Sequence, residues 1–155
     1  MKTKIITLFV LLCLATTGFS QNYNTGIGIR GGFYNGLTIK HFTSQNTAFE
    51  GLITSRWGGV ELTGLYEKQN NFPGMERLSG YVGFGAHVGF WNGDNTWGTA
   101  GTPYTVIGLD GILGLEYSFM FLPINLSLDW KPELNLIGYT SFWYDGGALS
   151  IRYIF

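Results

Sequence analysis

The chain is short of the residue types on which most small exported or catalytic domains rely. In 155 residues it has one cysteine, two histidines and four prolines, and charged residues make up only 12%. A single cysteine excludes an internal disulfide, and Cys13 lies in the leader described below, so the rest of the chain has no thiol for redox or metal chemistry. With only His41 and His87 besides, no cluster has recognisable metal-ligand spacing, and neither a metal nor a cofactor is expected. Without Lys2 and Lys4, 7 basic side chains stand against 10 acidic ones, which excludes the basic surface a nucleic-acid partner needs. A 3.6-residue apolar period is missing beyond the leader, which excludes amphipathic helices. So few charges also fail to make the ordinary surface of a small soluble domain.

What is present in quantity is glycine, 24 residues, and aromatic side chains, 17%. The first twenty residues read as a leader. Lys2 and Lys4 precede the apolar run "IITLFVLLCLA", and Gly18 and Ser20 supply the small residues of a cleavage site before Gln21. The run is too short to cross a bilayer, which takes about 20 residues. Leu12, large and immediately before Cys13, does not suit a lipidation site. Residues 1–20 are therefore expected to be removed, leaving residues 21–155 as one exported domain.

Along that domain the residues alternate. In "YTVIGLDGILGLEYSF", Ile107, Leu109, Leu113, Leu115, Tyr117 and Phe119 share one phase, while Gly108, Asp110, Gly114, Glu116 and Ser118 share the other; Ile112 is the exception. "RLSGYVGFGAHVGFW" and "INLSLDWK" repeat the pattern. A period of two is the strand signature, because successive side chains point to opposite faces. Eight segments result, roughly 24–33, 37–42, 47–57, 60–68, 77–91, 104–119, 123–137 and 147–155, separated by turn-rich stretches. The fold class is all-β.

Alternation does not say which phase is inside. A soluble calyx turns the apolar phase inward; a membrane barrel turns it outward. Three features favour the second. The polar phase is crowded with small residues, which suits a tight interior. The charges collect there with balanced signs: Arg30, Lys40, Arg56, Arg77, Lys131 and Arg152 against Glu50, Glu61, Glu67, Asp110, Glu116, Asp129 and Glu133, with His87 on the same phase. Buried charges need partners, and this balance supplies them. Finally, large rings recur near segment ends, as at Phe33, Trp57, Tyr66, Phe90, Phe119 and Tyr153, where a membrane interface would hold them. The reading is an eight-stranded antiparallel up-and-down transmembrane β-barrel, closed because an unpaired strand edge is prohibitive in hydrocarbon.

The last segment, "ALSIRYIF", has Leu149, Ile151, Tyr153 and Phe155 on one phase and Arg152 on the other. An amphipathic last strand ending in phenylalanine resembles the assembly signal of bacterial outer-membrane β-barrels, and the strand count and charged interior are similar to the small OmpA- and OmpX-type barrels. The resemblance implies outer-membrane lipid and the barrel-assembly machinery as partners, a monomer with both termini periplasmic, and no catalytic residue. Two features depart from it. The periplasmic connection "QNNFPGME" is longer than the outer connection "WGG", and Pro132 cannot donate to a strand ladder.

Other motifs carry less. "GIGIRG" matches G-x-G-x-x-G but opens a strand and precedes no helix, so it does not make a dinucleotide site. His41 with Ser44 is similar to the histidine and serine of lipid A deacylases but runs into a predicted periplasmic turn. His87 and Ser79 are eight residues apart, about 26 Å along a strand at ~3.3 Å per residue, and do not meet. Asp110, Glu116, Asp129 and Glu133 are plainer as salt-bridge partners than as paired catalytic acids. The outer connections carry Trp97, Phe142, Trp143 and Tyr144, candidates for surface contacts because binding residues concentrate on loops. The expected function is a non-catalytic structural or surface-interaction barrel with a side-chain-filled lumen. The alternatives are an outer-leaflet lipid-modifying hydrolase using His41 or His87, and a secreted calyx for an apolar ligand.

Overall fold

A computed structural model describes residues 23–92, 103–138 and 140–155. Residues 1–20, expected to be a leader, and Trp97 lie outside the described residues. Among the described residues ten strands form: β1 (Thr25–Gly32), β2 (Asn35–Ser44), β3 (Thr47–Arg56), β4 (Gly59–Phe72), β5 (Met75–Trp91), β6 (Tyr104–Ser118), β7 (Ile124–Trp130), β8 (Glu133–Ile137), β9 (Ser141–Trp143) and β10 (Gly147–Ile154). Eight of them close a ring, β1 to β7 in sequence and then β10, which pairs with both β7 and β1; every pairing is antiparallel. The closing seam runs to the last residue, where Thr25 and Phe155 exchange backbone hydrogen bonds of 3.0 and 2.9 Å. We call the end holding this seam and the β2–β3, β4–β5 and β6–β7 turns the near end, and its opposite the far end.

The apolar phase faces outward and the charged phase inward. Ile29, Phe84 and Leu128 are 61%, 67% and 59% exposed, whereas Lys40, Glu67 and Arg152 are each 0% exposed. Leu149, Ile151, Tyr153 and Phe155 all lie on the outer face, and Arg152 points into the lumen. Glycines on the inner phase make room for bulk opposite them. A side chain at Gly114 would begin 2.5 Å from the Tyr81 ring.

Three boundaries differ from the sequence reading. The predicted segment 123–137 breaks in two at Lys131–Pro132. Proline has no N–H to give, but its carbonyl accepts from Gly111 at 3.0 Å while Lys131 donates to Gly146 at 3.1 Å, so the ladder resumes beyond a local irregularity. β8 then continues along β6, and β9 folds back on β8 from a stretch expected to be loop; both stand outside the ring. The long connection "QNNFPGME" is strand except for a two-residue turn at Pro73 and Gly74. β4 runs on to Phe72 and β5 begins at Met75, with Gly74 at φ 78°, the left-handed position that a Pro-Gly type II turn assigns to glycine. Gln69 and Asn71 read as turn residues, yet their amides are engaged, Gln69 with Lys40 and Glu116 and Asn71 with Ser79. Tyr66 consequently lies in mid-strand, packed between the Phe49 and Phe84 rings on the outer face.

Candidate functional site

The lumen is layered. On β4 and β6 the inward positions carry an acid on either side of an apolar residue: Leu65 lies between Glu61 and Glu67, and Ile112 between Asp110 and Glu116, while on β3 Leu52 follows the single acid Glu50. Leu52, Leu65, Ile112 and the Tyr81 ring meet in an apolar belt, each 2% exposed. Ile112, out of phase in the sequence pattern, is thus an inward residue of this belt.

On the near-end side of the belt, two cations meet three carboxylates. Lys40 Nζ lies 2.8 Å from Glu67 and 3.0 Å from Glu116, donates to Gln69 at 2.8 Å, and sits 4.1 Å above the Tyr81 ring. Arg152 pairs with Glu50 and reaches Glu116 at 3.6 Å, donating also to Ser127 at 2.8 Å and Thr38 at 3.0 Å. Tyr23 donates to Glu116 at 2.7 Å. Alongside, Arg30 grips Asp129 with both terminal nitrogens, and Tyr81 donates to the same carboxylate at 3.0 Å. Such a fork is the strongest geometry available to a buried guanidinium.

On the far-end side, one ammonium serves three carboxylates. Lys131 Nζ stands 2.5 Å from Glu133, 2.9 Å from Asp110 and 3.2 Å from Glu61. His87 fills the remaining side, Nδ1 at 3.0 Å from Asp110 and Nε2 at 2.8 Å from the Asn135 amide oxygen. Both ring nitrogens face acceptors, and a ring carrying N–H at each satisfies both. Gly108 makes this possible, since a Cβ there would lie 2.6 Å from His87 Cε1. Glu61, His87 and Glu133 bring one potential ligand atom each within 4.8 Å of one another. Three separate strands contribute them, which is why no sequence spacing announces the group. The Lys131 ammonium already stands against both glutamates.

Two residues assigned to the lumenal network take no part in the two clusters. Arg56, at the far rim, pairs with Asp145 at 2.6 Å, a residue that the sequence placed in an outer connection. The Arg56 guanidinium, donating to Asp145, holds that carboxyl below the usual carboxylate range. Aromatic rings surround Arg56: Trp57 at 3.6 Å, Tyr34 at 4.9 Å and Trp143 at 5.2 Å. Trp57 adopts φ 49° next to Gly58 at 75°, the two positive angles of a type I′ hairpin, a position that asparagine ordinarily takes. Arg77 is half-buried near the start of β5, and among the described residues no ion pair includes it. Of the outer-connection candidates, Phe142 and Trp143 belong to β9, with Trp143 against Trp57 at 5.4 Å, and Tyr144 is exposed. Tyr34, which the sequence reading passed over, donates to Glu133 at 2.8 Å and links the rim to the Lys131 cluster.

Among the described residues, the hydrogen bonds of the two histidines are these: His87 bonds Asp110 and Asn135, and no hydroxyl bonds its ring. His41 is on the outer face, 2.9 Å from Thr25 Oγ1, and among the described residues no carboxylate orients its ring. A cleft of about 40 Å³ lined by Tyr34, Trp57 and Trp143 has room for about one water. No family model, curated protein or solved structure matches the chain.

Proposed function

We propose that the protein is a membrane-spanning barrel of the bacterial outer-membrane kind, plugged by its own lumenal side chains, with a structural or surface-interaction role and no catalysis. The observation that carries this reading is the inverted distribution of apolar and charged side chains. Water-soluble monomers rarely expose continuous apolar patches beyond a few hundred Å², yet here the apolar side chains form an outer band reaching every ring strand, as with Ile27, Leu37, Ile53, Leu62, Phe84, Leu109, Leu128 and Ile151. The outward stripe of β6 runs from Ile107 to Tyr117. Ten steps at ~3.3 Å give about 33 Å along the strand, or about 25 Å of height at a tilt near 40°, matching the apolar band of membrane barrels.

A closed barrel in detergent resists SDS until heated. The mature chain, refolded into detergent, should therefore run at two gel mobilities, one unboiled and one boiled. A single mobility, with the protein folded and soluble in plain buffer, would refute the reading.

A further inference from the structure

Among the described residues the membrane-facing phase is mostly apolar and carries one lysine. Of the basic residues described, Arg30, Lys40, Arg56, Lys131 and Arg152 are buried and Arg77 is half-buried, but Lys68 on β4 is exposed on the outer face. Among the described residues it has neither ion pair nor hydrogen-bond partner. Beside it the wall is hollowed into a groove of about 510 Å³ across β4, β5, β6 and β7. Its floor is low at Gly80, where a Cβ would meet the edge of the Phe72 ring at 3.2 Å and Leu115 Cδ2 at 4.0 Å.

The groove has a direction. Lys68 pairs with Val82, Val82 with Leu113, and Leu113 with Trp130. Lys68 lies close to the near-end turn of β4, whereas Trp130 is the last residue of β7 on its way to the far end. The line joining them therefore climbs obliquely from near end to mid-wall. It begins at an amine and an amide, Lys68 and Asn70, and continues over Val82, Leu113, Leu128 and Trp130.

We propose that this groove holds one phospholipid with a net anionic head group, its phosphate against Lys68 and Asn70 and one acyl chain lying along the apolar line to Trp130. The proposal rests on the membrane-spanning reading above. An ammonium on a lipid-facing wall is costly near the midplane and tolerable near an interface. A phosphodiester there supplies the counter-charge that the protein does not, and lysine binds phosphate as a point charge. Gly80 pairs with Asn70 and lets the Phe72 ring lie close to the wall at the head-group end of the groove.

The test is native mass spectrometry of the refolded chain in micelles doped with phosphatidylglycerol or, separately, phosphatidylcholine of the same chains, with the heat-dependent gel shift run in parallel. The wild type should retain one phosphatidylglycerol and less phosphatidylcholine. Lys68→Gln should lower phosphatidylglycerol retention about fivefold, the factor that one lysine contributes at an anionic surface. Gly80→Leu, filling the floor, should lower retention of both lipids. Equal retention by wild type and both variants, with the gel shift intact, overturns the groove site and leaves the membrane reading standing. Loss of the gel shift in the wild type overturns both.

Discussion

Three buried carboxylates meet two full cations on one side of the apolar belt, whereas on the other three carboxylates depend on one lysine and a histidine. At the near end Glu116 is shared by Lys40 and Arg152, and hydroxyls and amides from Thr38, Gln69, Ser127 and Tyr23 take up further lone pairs and N–H groups. The charge there is distributed, so loss of one cation leaves another in contact with Glu116. At the far end Glu61, Asp110 and Glu133 converge on the single Lys131 Nζ. A buried pair is weak evidence of net stability, but removing one partner strands the other in low dielectric at a cost of several kcal/mol. The two clusters should therefore differ in how they fail.

The largest effect is expected at Lys131. Lys131→Met leaves three carboxylates without an ammonium and should cost at least about 3–5 kcal/mol, read as the urea midpoint of refolding in micelles. Arg152→Met should cost less. Equal costs would show that sharing of Glu116 gives the near cluster no redundancy. Adding Glu61→Gln to Lys131→Met should recover part of the loss; strictly additive effects would mean that the carboxylates do not share the lysine.

Asp110→Leu comes next, at about 3 kcal/mol or below, the low end for a broken buried pair. Lys131 keeps Glu61 and Glu133, and the main loss is the anchor of His87 Nδ1. A chemical shift of the His87 ring that does not move in this variant would contradict the contact. Gly114→Ala should cost roughly 1–3 kcal/mol by overpacking, since its methyl would press on the Tyr81 ring that donates to Asp129.

The rim pair should matter least. Arg56–Asp145 is partly open to solvent, with Asp145 31% exposed, and Asp145→Asn should shift stability by about 1 kcal/mol or less. Because Arg56 depresses the folded-state pKa of Asp145, the contribution is complete above the ordinary aspartate value near pH 4 and is lost as pH falls through the lower folded value. Fluorescence of the Trp57–Trp143 contact should follow that acid transition in the wild type and be flat in Asp145→Asn.

Much of this was legible in the sequence because alternation and charge are local properties. The phase bearing Glu116, Asp129 and Arg152 could be read two residues at a time, and pairing demand favoured turning it inward. The layers were not legible, because Leu52 and Leu65 sit on the charged phase and gain meaning only when four strands bring them to Tyr81 and Ile112. The true reach of β4 and β5 was hidden by Gln69, Asn70 and Asn71, which carry turn chemistry but find lumenal or edge partners here. Asp145 was missed as the partner of Arg56 because 89 residues separate them.

The central claim is that the apolar phase is the outer wall in lipid and the charged phase the sealed interior. Spin labels attached singly at Ile107, Leu109, Leu113 and Leu115, in a chain of residues 21–155, which contain no cysteine, reconstituted in bilayers, test it most directly. The account predicts frequent collisions with molecular oxygen at all four positions and few with a water-soluble nickel chelate. Ready collision with the chelate, and little with oxygen, would place that stripe in water and contradict it.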